Sequence, residues 1–193
     1  MARCLCCALR KWHSVNWLHK GIKSNSVLIL QQQSNKNWDF QNPFLNGQEY
    51  ARPDTDFSSA RYVQDFEENV YRHPDRQGLP RETHTKYHDI YSLGVVLLEI
   101  GLWQPASKFQ DFQPSVGRLT PEHMRKILIS NAKDRLHHYM GSEYQAAVVK
   151  CLNGEIRPDM DNVRDALQLA ENFRTQVIDS IAKGITAKST TQE

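Results

Sequence analysis

The sequence has no Gly-x-Gly anywhere, no run of five basic residues and no apolar stretch long enough to cross a bilayer. Its longest apolar run, 90–103, falls short of the ~20 residues a membrane helix needs. It also carries Glu99 inside it and Asp89 at its edge, so it reads as a buried helix and no membrane span is expected. The formal net charge of +2 is small and the lysines and arginines are dispersed, so no nucleic-acid partner is expected. Residues 1–12 hold a short apolar patch broken by Arg3 and followed by Arg10 and Lys11. A secretory signal has the reverse order, basic residues first and a longer apolar stretch after them, so a cytoplasmic location is expected.

Cysteine is scarce as well. Cys4, Cys6 and Cys7 crowd one segment and Cys151 stands alone, which suits neither a disulfide framework nor a four-cysteine zinc site. His84 and His88 have the i, i+4 spacing of a helical metal pair, yet no Glu follows His84 as in H-E-x-x-H, so no metal site is expected. His137 and His138 read as a polar helix face.

The 193 residues, with 39% hydrophobic and 24% charged, suit one soluble domain with a single core. Leu5, Ala8, Leu9, Trp12 and Val15 recur at helical steps over 2–17. Residues 18–23 look turn-like, 27–30 suit a short buried strand, and Phe44 and Leu45 a second one. Residues 52–80 are irregular, a length of loop that tends to be functional. Helix returns over 87–102. Thr120 and Pro121 open another helix with an N-cap oxygen and a first-turn proline. Ser142 with Gln145 reads as a capping box for a helix through Leu152. Asp159 or Asp161 opens the last long helix, whose face is Val163, Ala166, Leu167, Ala170 and Phe173. The fold class is mainly α with a small β element, the domain spans 1–182, and 183–193 is expected to be a flexible polar tail.

Four segments share a resemblance. His19-Lys20-Gly21-Ile22-Lys23-Ser24-Asn25-Ser26 is similar to the protein kinase catalytic loop, H-R-D-L-K-x-x-N, and an apolar strand follows it. Tyr71-Arg72-His73-Pro74-Asp75 is similar to the A-P-E element that closes the activation segment. Asp89-Ile90-Tyr91-Ser92-Leu93-Gly94 onward to Glu99 resembles the signature of the central buried helix, and Cys151-Leu152 with Arg157-Pro158 resembles the C-L…R-P segment near the end of the lobe. In this order they resemble the C-terminal lobe of a protein kinase. Tyr50-Ala51-Arg52-Pro53 and Ile100-Gly101-Leu102-Trp103 are further similar to fungal kinase-like domains that follow prion-inhibition or HeLo-type domains.

The resemblance implies lost chemistry. Phosphoryl transfer needs a base, a metal-bound carboxylate and a phosphate-contacting lysine. Gly21 stands at the position of the base and Ser26 at that of the metal-binding Asn, while His19 and Lys23 match retained supporting positions. Lys23 and Ser26 would be relics of an ATP and magnesium site. Lys23 reads equally as an exposed loop lysine. The D-F-G element has two placements: Asp39-Phe40-Gln41, which would supply a metal carboxylate, and the better Gly47-Gln48-Glu49, which would not, because Glu49 falls on the glycine position. Asp75 and Arg157 match a buried structural ion pair, and Asp89 matches the acid that holds the catalytic loop's backbone.

No Gly-rich loop, β3 lysine or αC glutamate of an upper lobe is present. The resemblance therefore implies a catalytically impaired pseudokinase with no cofactor, acting through a protein partner or its own upper lobe or N-terminal helical domain. The alternative is an ATP- and Mg-dependent Ser/Thr phosphotransferase completed by an upper lobe on a longer parent chain. Ser58, Ser59, Tyr62 and Tyr71 fall in the activation-segment equivalent as phosphorylation candidates, although most surface hydroxyls are not signalling sites. An uncovered apolar surface is expected around Trp17, His19 and Leu45, with self-association as its consequence.

Overall fold

A 17-residue helix, α3 (Lys86–Leu102), organises the molecule. Fourteen of its residues are buried, so it is apolar on every side and lies inside rather than on the surface. The computed structural model describes residues 1–32, 36–55, 65–78, 83–109, 119–157 and 163–189. Ser58, Ser59, Tyr62, Pro158, Asp159 and Asp161 lie outside the described residues.

Around α3 pack α1 (Ala2–Ser14), α4 (Pro121–Met140) and α5 (Ser142–Asn153); α5 in turn carries α7 (Asp179–Ser189), while α6 (Val163–Phe173) touches α1. A short helix, α2 (Phe66–Asn69), stands apart from this stack in sequence and bears on the site described below. Gly94 lets α5 come close: a Cβ there would stand 2.7 Å from the Cβ of Cys151. The expected start of α4 is present, with Thr120 Oγ1 accepting the His123 N–H at 3.2 Å and Pro121 in the first turn. The arrangement is mainly α with a small β element, and none of the described helices is long and apolar enough to cross a membrane.

The β element comes as two ribbons. β2 (Val27–Leu28) pairs antiparallel with β3 (Phe44–Leu45), as the apolar runs suggest. β1 (Trp17–Leu18) pairs with β4 (Arg52–Pro53), where the sequence predicts the end of a helix, a turn and an irregular stretch. Each ribbon pins one end of two loops, 19–26 and 46–51. Those loops therefore face each other, joined where Ser26 O accepts the Asn46 N–H at 2.7 Å.

Several expected faces shift. On α1 the buried residues are Leu5, Cys6, Leu9 and His13, while Val15 is 65% exposed beyond the helix end. The cap of α5 is Gly141, at φ +86°, rather than Ser142. Gln145 reaches across to the Lys133 and Ala132 carbonyls of α4 instead of closing a capping box. On α6 the residues Ala166, Leu167 and Ala170 are exposed, and burial begins at Phe173 and continues through Val177, Ile178 and Ile181. A π-helical stretch, Arg174–Ile178, follows α6, and it is this stretch that packs on α5 and α1. The helix then continues to Ser189, well into the stretch expected to be a flexible tail.

All four cysteines are free thiols. Burial pushes the Cys6 thiol upward and that of Cys151 up to about 12, so both are inert core residues.

Candidate functional site

Asp89, in the first turn of α3, is 1% exposed and accepts four hydrogen bonds. Its Oδ2 takes the His19 N–H at 2.8 Å and His13 Nε2 at 3.1 Å. Its Oδ1 takes the Lys20 N–H at 2.9 Å and His84 Nε2 at 2.9 Å. Burial works to raise this carboxyl's pKa, but the hydrogen bonds and charges of His84 and His13 outweigh it and hold the group ionised, well below the usual carboxylate range. An ionised carboxylate only accepts, so each histidine presents Nε2–H to it. The expected tie between Asp89 and the loop backbone is therefore present, with two histidines added.

The loop so fixed carries the sequence-predicted residues. His19 is fully buried, and burial lowers its pKa, so its ring is neutral. Its Nδ1 accepts the Gly21 N–H at 3.3 Å. A Cβ on Gly21 would lie 3.0 Å from Tyr50 Cδ2 and 3.3 Å from Gly47 O, so the ground where a side chain would stand is already taken. Gly47 sits opposite at φ +99°, and a Cβ there would be 3.4 Å from His19 Cε1 and from Gly21 O. Ser26 is buried and closes its own turn, its Oγ donating to Lys23 O at 2.6 Å and accepting Lys23 N–H at 3.0 Å. The Lys23 ammonium forms an ion pair with Glu68 of α2.

Other expected members stand elsewhere. Asp39 lies past a small hairpin closed by the Gln31–Trp38 bridge, and its carboxylate accepts from the Gln41 N–H, the Asn42 N–H and Asn42 Nδ2. The next residue, Phe40, packs against Trp103, with ring centres 6.0 Å apart, beyond the far end of α3 from Asp89. At 1.5 Å rise per residue that end is about 20 Å away. Asp39 is therefore remote from Asp89. Glu49 is exposed on a 3-10 turn, Gln48–Tyr50. The expected Asp75–Arg157 ion pair is not formed. Asp75 Oδ2 meets His73 Nδ1 at 3.1 Å instead, and the Arg157 guanidinium lies over the Tyr87 ring at 5.6 Å. Arg157 is taken up by an aromatic face of α3, a contact its charge also favours.

Behind the loop a second network runs from Ser24 Oγ to Tyr71 OH at 2.7 Å, and from Tyr71 OH to Glu99 Oε1 at 2.7 Å. Ala106 N–H donates to the same oxygen at 2.7 Å. Burial raises the pKa of both Glu99 and Tyr71. This chain ties the loop to the C-terminal half of α3.

Between the 20–23 loop, the 68–76 segment and α3 lies an open cleft of about 290 Å³. Lys20, Lys23, Arg52, Arg72 and Arg76 line it against one carboxylate, Glu68. His73, His84 and His88 form its histidine side. His73, Asp75 and His88 bring one nitrogen or oxygen each within 4.8 Å of one another, as a metal site would. The hydrogen bonds do not suit a metal there. His88 Nδ1 accepts the Thr85 N–H at 2.9 Å, so a neutral ring keeps its proton on Nε2 and offers no lone pair. Burial, with the nearby His84, His73 and Arg76, pushes His88 down to about 2, which keeps the ring neutral.

The histidines around Asp89 were not foreseen. His13 lies 76 residues from Asp89, and its only sequence signal is its place four residues after Leu9 on the buried stripe of α1. His84 reads in the sequence only as half of a metal pair with His88. The expected apolar surface also moves: Trp17 is 40% exposed, but His19 and Leu45 are buried. Exposed apolar side chains among the described residues include Leu28, Leu30, Trp38, Phe40, Phe44 and Trp103, and Trp103 borders a second cavity of about 320 Å³ with Val27, Ile29, Val96 and Ile100.

No curated protein and no solved structure matches the chain significantly. Residues 1–189 match the family model described as Domain of unknown function (DUF7580), and the chain belongs to that family.

Proposed function

We propose that this chain is a catalytically inactive, protein kinase-like domain that acts in intracellular signalling by binding a protein partner or an upper lobe. The observation that carries the proposal is Gly21. Where phosphoryl transfer would need a carboxylate base there is no side chain, and Tyr50 and the Gly47 carbonyl occupy the space for one. Ser26 and Lys23 are committed to a turn and to Glu68, and the Asp39 carboxylate accepts hydrogen bonds from its own neighbours Gln41 and Asn42.

The kinase-like reading is supported by Asp89 gripping the His19 and Lys20 peptide N–H groups from a largely buried helix, and by the order of the helices that follow. The interaction reading is supported by exposed apolar side chains on the β2–β3 ribbon and at Trp103, which is 71% exposed. Titrating the chain with Mg-ATP in a thermal-shift experiment tests the proposal. No shift is expected. A saturable stabilisation, joined by transfer activity that disappears in Lys23→Ala, would support instead a Ser/Thr phosphotransferase completed by an upper lobe.

A further inference from the structure

The cationic cleft asks for a ligand on grounds separate from the inactive loop. Its lining sets five lysines and arginines against one carboxylate, and that carboxylate, Glu68, is already joined to Lys23. Asp89, which underlies His84, has its charge covered by four donors. Asp75 faces His73 across the 73–76 turn, with the positive charges of Arg125 and Arg157 acting on the same ring. The field in the cleft therefore favours an anion.

A second observation points the same way. His88 is 2% exposed, lines the cleft, and its Nε2 has no hydrogen-bond partner. With Nδ1 accepting from Thr85, that Nε2 bears a proton. A buried N–H without an acceptor costs roughly 1–3 kcal/mol, which a ligand oxygen would recover. Arg76, 6% exposed, lies close enough for its charge to act on the His88 ring, and burial disfavours its own charged form. An anion in the cleft would accept the His88 Nε2–H and remove that penalty.

We propose that this cleft is a binding site for a phosphoryl-class oxyanion, held by Arg72, Arg76 and the Nε2–H of His88. Several guanidinium groups on one small site match a doubly charged tetrahedral group, whose oxygens accept paired N–H donors, better than a single carboxylate. The volume of about 290 Å³ lies at the lower bound of ligand pockets, which suits a phosphate or a phosphorylated side chain and not a whole nucleotide. Nothing in this assignment requires the domain to be active or inactive in phosphoryl transfer.

The test is a titration of the full chain with inorganic phosphate at constant ionic strength, with chloride as control, followed by long-range proton–nitrogen NMR of the histidine rings. Phosphate is expected to move the His88 Nε2–H resonance saturably, and chloride is not. Arg72→Gln is expected to weaken the apparent Kd about tenfold, the loss of one charge-assisted contact. A phosphoserine peptide that binds more tightly than inorganic phosphate, while its unphosphorylated form does not bind, identifies the source as protein-borne. Equal binding of the two phosphates identifies a free oxyanion. An unmoved His88 resonance in the folded wild-type chain, unchanged affinity in a folded Arg72→Gln, or equal binding of the unphosphorylated peptide would overturn the proposal.

Discussion

The Asp89 carboxylate accepts the peptide N–H of His19 at 2.8 Å, so the first turn of the central helix fixes a loop that lies 70 residues earlier. His13 and His84 complete the grip from α1 and from the approach to α3. Removing the charge should therefore loosen three parts of the chain at once. Asp89→Asn is expected to cost about 3–5 kcal/mol, because two histidines and two peptide groups lose a charged acceptor in a buried site. Urea denaturation would show this as a lower midpoint with an unchanged slope.

Acid should weaken the fold before its carboxylates titrate. Burial lowers His73 to about 4 and His88 to about 2, and it lowers His19 as well. The unfolded chain protonates these rings near pH 6.5, so below that pH it binds more protons than the folded chain. Stability is then full above about pH 6.5 and declines as the pH falls from there. Asp89, held low, adds a further loss once the pH drops through the unfolded carboxylate range. Denaturation midpoints measured between about pH 7.5 and 5 should fall steadily, and His73→Asn should make the slope shallower.

The contact at Gly21 predicts a coupling. Gly21→Ala should destabilise by about 1 kcal/mol, since its Cβ would press on Tyr50 at 3.0 Å. Tyr50 is 49% exposed, so Tyr50→Ala alone should cost little and should relieve most of the Gly21→Ala penalty. A double-mutant cycle by thermal denaturation measures this.

The uneven burial of α6 predicts opposite outcomes at two apolar residues. Leu167 is 73% exposed and Leu167→Glu should change stability by no more than about 0.5 kcal/mol. Phe173 is 2% exposed and Phe173→Ala should cost about 3–5 kcal/mol. Chemical denaturation of the two variants checks which part of the helix is packed.

Much of the architecture is legible in residue order. The continuous apolar run of α3, the Thr120-Pro121 helix start and the two apolar dipeptides of the β2–β3 ribbon each carry a local signal. The β1–β4 ribbon does not, because Trp17–Leu18 and Arg52–Pro53 are strands only by virtue of each other. The face of α6 is misread because a 3.6-residue period shows which residues share a face and not whether another element covers them: Ala166, Leu167 and Ala170 are exposed while Phe173 is buried. At the site, Gly21, Ser26, His19 and Asp89 are visible as a local motif and a distant acid. Their histidine partners are not, since His13, His84 and His88 gain their roles only when three separate segments meet. Asp75 and Arg157 show the converse: oppositely charged residues that sequence pairs, but that folding assigns to His73 and Tyr87.

The most direct test of the central claim is a radiolabelled transfer assay with Mg-ATP and a general protein substrate, run on the wild-type chain and on Lys23→Ala. The account predicts no incorporation above background and no difference between the two proteins. Incorporation by the wild type that vanishes in Lys23→Ala would contradict it.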